Sequence, residues 1–289
     1  MTTSLQSSER SYLSEIGNGI YTGGVIMLAQ TPLVTSLNRI SVVSCYTNSP
    51  MEKSIWMIYN GTVDSAPKPS VGYFFRGVSG HLVKESARLG FKSTGLVMKP
   101  SLDEHFKKDA HGKFKGDITF AGTLSFGEMA INPTDTILKM WQAGKKIQDL
   151  PKGRIIWHLY KGSGANGLRQ FGTWLGYPFS ERLWSRILGR MTSLDPHSMA
   201  GIAVKSLPQS FQITLPVWIF ERLKNELQYH PNLVHGKYRY FGAYKHIKYN
   251  QGWIGFTRGF IPKVWSNYFL IMGANYLLEQ GRLFQNRKA

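Results

Sequence analysis

Long runs without charge recur along the chain, separated by basic stretches that contain glycine and proline. Gly17–Asn38 holds 22 residues and no charged side chain, a length that spans a hydrocarbon core of about 30 Å as a helix. Val264–Leu278 is also uncharged, Pro196–Phe220 holds Lys205 as its one charge, and Ile118–Leu138 holds Glu128 and Asp135. The stretches near 78–100 and 164–186 are more polar. A helix tolerates this where one face lines a water-filled cavity and only the other face must be apolar. The pattern predicts six long helices in an all-α chain.

Proline punctuates these runs. Pro32 in TPLVTSLNRI, Pro133 in NPTDTILKMWQ and Pro216 in LPVWIFERLKNELQ each follow an apolar, glycine-containing stretch and precede an amphipathic continuation. A proline inside a helix removes a backbone donor and bends it, so all three predict helix kinks. Downstream of each proline comes a glycine-led segment that ends on a base and a glycine: GYFFRG (Gly72–Gly77), GRIIWHLYKG (Gly153–Gly162) and GWIGFTRG (Gly252–Gly259). The distances from proline to final glycine are 45, 29 and 43 residues. Another helix-length stretch follows each. The order kinked helix, loop, short segment, helix therefore occurs three times, dividing the chain into repeats 1–112, 113–195 and 196–289. Short surface helices are expected near 66–76, 152–161 and 249–258. Gly19 and Gly23, four apart in the first run, predict close approach of a neighbouring helix.

With these residues in this order the chain resembles the mitochondrial carrier family over roughly residues 13–285. That family has a proline–acidic–basic signature at the end of each odd helix and an aromatic–basic–glycine signature before each even one. The second is well kept, above all in GFTRGFIPKVW, and the first is eroded. The resemblance implies a membrane-embedded bundle of six helices with pseudo-threefold symmetry around a central cavity, a monomer working by alternating access. It implies an integral, multi-pass protein of the mitochondrial inner membrane. The erosion of one signature within an otherwise complete repeat is similar to a transferred carrier, of the nucleotide-carrying type that a bacterium delivers into a host cell.

The resemblance also assigns residues. On the matrix side, the acidic positions hold Val34, Asp135 and Trp218 and the basic positions hold Leu37, Leu138 and Glu221, so only Asp135 matches. A degenerate matrix gate and relaxed one-for-one exchange are expected, with Asp135 paired to a residue such as Lys139 or exposed to water. On the opposite side Glu104 with Lys107, and Glu279 with Arg282, fit an acid followed three positions later by a base; Glu181 and Arg182 depart from that spacing. The triplets Arg76–Gly77, Lys161–Gly162 and Arg258–Gly259 are expected at helix N-termini, where N–H groups and the dipole favour phosphate, and by resemblance they bind cardiolipin. Substrate positions midway down the even helices fall on Lys84 and Arg88, Arg169 and Gln170, and Ser266 and Asn267. Arginine at such depth is costly unless it faces a cavity and an anion. Converging bases therefore predict a multiply charged anion, for which an adenine nucleotide such as ATP or ADP fits best and phosphate is the alternative. Trp174 and Tyr177 are read as core packing that has the means to stack a base.

Composition agrees with this picture. There are 35 Lys and Arg against 17 Asp and Glu, a net charge of +18 that calls for an anionic partner. Aromatics are abundant at 13% and charged residues few at 18%, as in membrane proteins with interfacial aromatic belts. Mean hydropathy is nevertheless slightly negative, at −0.22. A single cysteine, Cys45, excludes an internal disulfide and a Cys-based metal site. No signal peptide or amphipathic Arg-rich presequence is legible at the N-terminus. Absent too are a P-loop, a dinucleotide fingerprint, GxSxG and HExxH, so no enzyme and no cofactor is expected. His235–Asn250 interleaves bases and aromatics, which supports a nucleic-acid-binding protein as the alternative. A carrier-like protein that has lost transport is a further alternative.

Overall fold

The computed structural model describes residues 2–64, 68–106, 111–143, 155–229 and 239–286. Among these every regular element is helical. The long helix α1 (Thr2–Thr47) leads into a short helix α2 (Met51–Tyr59), 3-10 turns at Thr62–Asp64 and Val71–Phe75, and then α3 (Val78–His105). The middle of the chain forms α4 (Gly112–Ala130), α5 (Asn132–Gln142), a single-turn α6 (Ile155–Leu159) and α7 (Ser163–Met191). Then follow α8 (Met199–Tyr229), α9 (Arg239–Gln251), a 3-10 turn at Trp253–Phe256 and α10 (Phe260–Asn286). Long helices that follow one another pack side by side, from α1 on α3 to α8 on α10, and α10 packs back on α1. The ring is therefore closed.

Two of the three signature prolines lie inside helices: Pro32 in α1 and Pro216 in α8. Pro133 does not kink a continuous helix as its position predicted. The helix stops at Ile131, and Pro133 stands in the first turn of the new helix α5. There its missing N–H costs nothing, because first-turn N–H groups have no intrahelical acceptor anyway. Pro178 and Pro208 also lie inside helices, unanticipated by the repeat.

The final glycine of each triplet adopts a left-handed backbone immediately before a long helix: Gly77 at φ +91°, Gly162 at +78° and Gly259 at +78°. L-residues avoid this region, and glycine does not. Each glycine also lies against another repeat. A Cβ on Gly77 would stand 3.1 Å from Leu138 and 3.3 Å from Gln142, one on Gly162 would stand 2.9 Å from Lys224, and one on Gly259 would stand 2.5 Å from the Ser41 carbonyl oxygen. The expected surface helices shorten to the turn at Val71–Phe75, to α6, and to the end of α9 with the turn at Trp253–Phe256. The glycine that admits α1 closely is Gly273 on α10, where a Cβ would lie 2.8 Å from Ile26. Gly23 faces the cavity instead, and the surroundings of Gly19 lie outside the described residues.

Charged side chains are buried beside the apolar core, and several large apolar ones lie on the outside. Arg39 and Arg222 are fully buried and Lys224 is 1% exposed, whereas Tyr21, Phe126 and Trp157 stand 74–76% exposed. Charged groups are almost never fully buried unless paired, and here they occupy the centre of the bundle. One helix, over Ile20–Thr47, is by itself long and apolar enough to cross a membrane. Among the described residues the other expected spans do not reach that mark.

Candidate functional site

The ring encloses a cavity lined by seven Lys and Arg side chains and three carboxylates. Its cationic wall starts on α3, where Lys84, Arg88 and Lys92 recur every four residues and so share one helix face. Lys84 donates to Asp135 of α5. Arg88 Nη1 lies 2.5 Å from Glu85, and its Nη2 bonds Glu128 of α4, which is fully buried. Lys92 reaches the same Glu128 at 2.8 Å. Arg169 of α7 lies 2.8 Å from Glu221 of α8 and donates to Asn166 at 3.2 Å. Arg88, Lys84, Arg169 and Gln170 thus converge on one cavity, as their positions predicted.

Ser266 and Asn267 part company. Asn267 lines the cavity and donates to Thr214 at 2.8 Å. Ser266 is a correction: it turns away and donates to Asn38 of α1 at 3.0 Å. The residues are adjacent in one helix, about 100° apart around the axis, and of the two only Asn267 lines the lumen. The α10 base that does reach the cavity is Lys263, three residues earlier, donating to Asn38 at 3.1 Å.

One wall is aromatic. Trp174 and Tyr177 meet edge to face with centroids 5.8 Å apart, and Phe120 meets Trp174 at the same distance. Lys92 stands 5.5 Å over the Trp174 ring. Tyr177 donates to Asn275 at 2.8 Å, and the indole N–H of Trp174 is buried with no acceptor. These rings are core and cavity wall at once.

At the end of the bundle reached by α1, α5 and α8 after their prolines, the charges form one network. Asp135 takes Lys84 and, at 2.9 Å, Lys224 of α8, with Lys139 at 3.9 Å. Glu221 takes Lys139 at 2.7 Å and Lys224 at 3.2 Å as well as Arg169. The expectation that Leu138 leaves the second repeat without a base is corrected: Lys139, one residue on, crosses to Glu221. Glu221, counted as a misplaced acid at a basic position, is the acid that receives it. Asp135 is buried and fully paired rather than exposed to water. Helix α1 adds no charge to this cluster. Its Arg39 is drawn aside to Asp64 at 2.5 Å, and Val34 and Asn38 face the cavity.

A second network lies at the other end, about 22 Å along α3 by helix rise from Lys84. Lys99 reaches Asp117 of α4 at 2.9 Å and bonds Asp103; Arg182 reaches Asp117 at 2.9 Å, and Lys205 reaches Glu181 at 3.3 Å. Glu279 lies 2.8 Å from His197; the side chain of Arg282, its expected partner, lies outside the described residues. Glu104 is exposed, and Lys107 lies outside the described residues. Lys99 and Asp117 meet across the α3–α4 contact.

The triplet bases differ from one another. Arg76 bonds Asp64, the same carboxylate that holds Arg39, so its charge is partly compensated. The Arg258 carbonyl accepts the Cys45 thiol at 3.1 Å. The Lys161 carbonyl lies 3.5 Å from the Asn132 amide. In α9, Lys245 covers Phe241 at 4.6 Å and Lys248 covers Trp253 at 5.2 Å. The interleaved bases and aromatics of this segment thus satisfy one another locally.

Of the residues that sequence reasoning passed over, Lys92 was within reach: it extends the four-residue stripe of Lys84 and Arg88. Lys139 and Lys224 stand four and three residues beyond Asp135 and Glu221, a helical spacing that pairs acid with base. Glu128 gave no such signal. No family model matches the chain, and no characterised protein matches it in sequence.

Proposed function

We propose that the chain is a membrane-embedded transporter of an anionic metabolite, built as three mitochondrial-carrier-like repeats (1–112, 113–195 and 196–289) that form a six-helix, pseudo-threefold bundle working by alternating access. The observation that carries this reading is the burial pattern: large apolar side chains on the outside, and a closed ring of helices around buried bases that converge on one cavity. Lipid rewards that outer surface, and bases at such depth require a cavity and an anion. The left-handed glycines at 77, 162 and 259 support the repeat, since each precedes a long helix and rests on another repeat.

Adenine nucleotide is the substrate that the lining suits best. Arg88, Lys92 and Arg169 offer guanidinium and ammonium donors to phosphate oxygens, and Trp174 offers a ring face and an unsatisfied N–H to a base. The charge networks at the two ends are suited to act as gates that break in turn. The mitochondrial inner membrane, with cardiolipin at the triplets, is the proposed setting, reached by a protein made in the same cell or delivered from a bacterium.

Uptake of labelled ATP by liposomes holding the purified chain tests the reading. Wild-type uptake that survives carbonate washing of the vesicles and falls at least tenfold in Arg88→Gln is the expected result. Uptake of phosphate alone would keep the transporter and change the substrate. Release of the protein by carbonate would defeat the reading.

A further inference from the structure

The floor network is unbalanced. Four bases (Lys84, Lys139, Lys224 and Arg169) crowd two carboxylates, Asp135 and Glu221, and all six side chains are buried. Lys263 adds a further charge to the same lumen from α10. Facing them, α1 supplies Val34 and Asn38, neither of which is charged. Two donors at this level have nothing to bond: Nε2 of Gln142 and Nε of Arg88 are buried without an acceptor, and both residues line the cavity. Buried cations without matching negative charge are costly, as are buried donors left unsatisfied.

A phosphoryl group answers both deficits. It carries close to two negative charges at neutral pH, which offsets the excess of these four bases over the two carboxylates. Its several oxygens take hydrogen bonds from lysines and a guanidinium at once. A single carboxylate would leave charge over.

We propose that a phosphoryl dianion binds at this floor, between α1 and the Lys84–Lys139–Lys224–Arg169 cluster, and acts as a missing gate charge. Bound there, it ties α3, α5, α7 and α8 together, so the anion tightens this end of the bundle instead of loosening it. Release of the end then requires the anion to move up the cavity. The inference rests on the transporter reading of the cavity and adds to it which state the anion favours.

The test uses the full-length chain in mild detergent. Cys45 is the one thiol in the chain and is buried, so its reaction with a maleimide dye during heating reports unfolding. Inorganic phosphate, pyrophosphate and ATP are compared with chloride at equal ionic strength. At about 100 times its Kd, each phosphoryl anion is expected to raise the midpoint on the order of 5 °C. Asn38→Asp, nearly isosteric and facing Lys263, is expected to raise the midpoint without anion and to cut the anion's shift by more than half. Lys263→Gln removes a surplus base and is expected to act in the same direction, and it decides the matter if Asn38→Asp does not fold. A full anion shift in both variants overturns the inference. So does a shift produced by ATP alone, which would make the base the anchor. If no anion stabilises the chain while vesicles still take up ATP, this inference falls and the transporter reading stands; loss of uptake as well takes down both.

Discussion

Lys139 and Glu221 show how far a single position can carry. A helix turns about 100° per residue, so a base displaced by one place from Leu138 keeps its end of the bundle but changes its facing, and it meets an acid displaced in the same sense on α8. Neither residue matches the repeat alone, and the match exists only between them. The glycines behave otherwise, because what they satisfy is local. Gly259 is held at φ +78° with the Ser41 carbonyl oxygen where a Cβ would need to be. Gly259→Ala combines backbone strain with a clash against backbone, and a loss of about 2–3 kcal/mol is expected, readable as an earlier onset of Cys45 labelling on heating. At Gly122, which has open space around its Cβ position, the same change is expected to stabilise by up to about 1 kcal/mol, as a helix-interior glycine relieved of its entropy cost.

At the scale of elements, α9 and the turn after it are tied to the end of α8 by buried charge. Arg222 donates to the Gly255 carbonyl at 3.0 Å, to Gln251 at 2.6 Å and to Glu226 at 2.8 Å, while His246 of α9 lies 2.5 Å from Glu226. Sequence reasoning gave Arg222 and Glu226 no role and saw a basic, aromatic segment behind them. Removing one partner strands the other in the core. Arg222→Met is expected to cost about 3–5 kcal/mol, and adding Glu226→Leu is expected to restore most of it. Denaturation of the single and double variants, followed by the tryptophan fluorescence of Trp253, checks both halves of that statement. The helix break at Ile131 has the same character: Pro133 told where the chain changes, but only packing chose a new helix over a bend.

For the molecule as a whole, the direction in which each helix turns its charges separates the proposal from a basic soluble bundle. Leu215, near the middle of α8, is 57% exposed. In water Leu215→Lys would be close to neutral. In a bilayer it is expected to cost about 2.5–3.5 kcal/mol, seen as reduced membrane insertion and a lower unfolding midpoint after reconstitution, with no change in midpoint for Lys248→Gln on α9.

The sequence by itself determined the helical class, the threefold order of proline and glycine-ended segments, and the lumen-facing stripe of α3, because each depends on neighbours within one or two turns. Arg169, Gln170 and Asn267 came instead from the resemblance to the carrier family. Sequence reasoning misplaced Ser266, and it expected Asp135 to be paired without naming Lys84 or Lys224. Those depend on which helices stand face to face, and on the charges that distant segments bring to one point. Only the tertiary structure decided that Asp135 shares Lys84 and Lys224 with no contribution from α1, and that Glu128, unmarked in the sequence, anchors Arg88 and Lys92. The reason is physical: a buried charge is held by whatever opposite charge the packed helices deliver to it, and helix periodicity says nothing about a partner forty or ninety residues away.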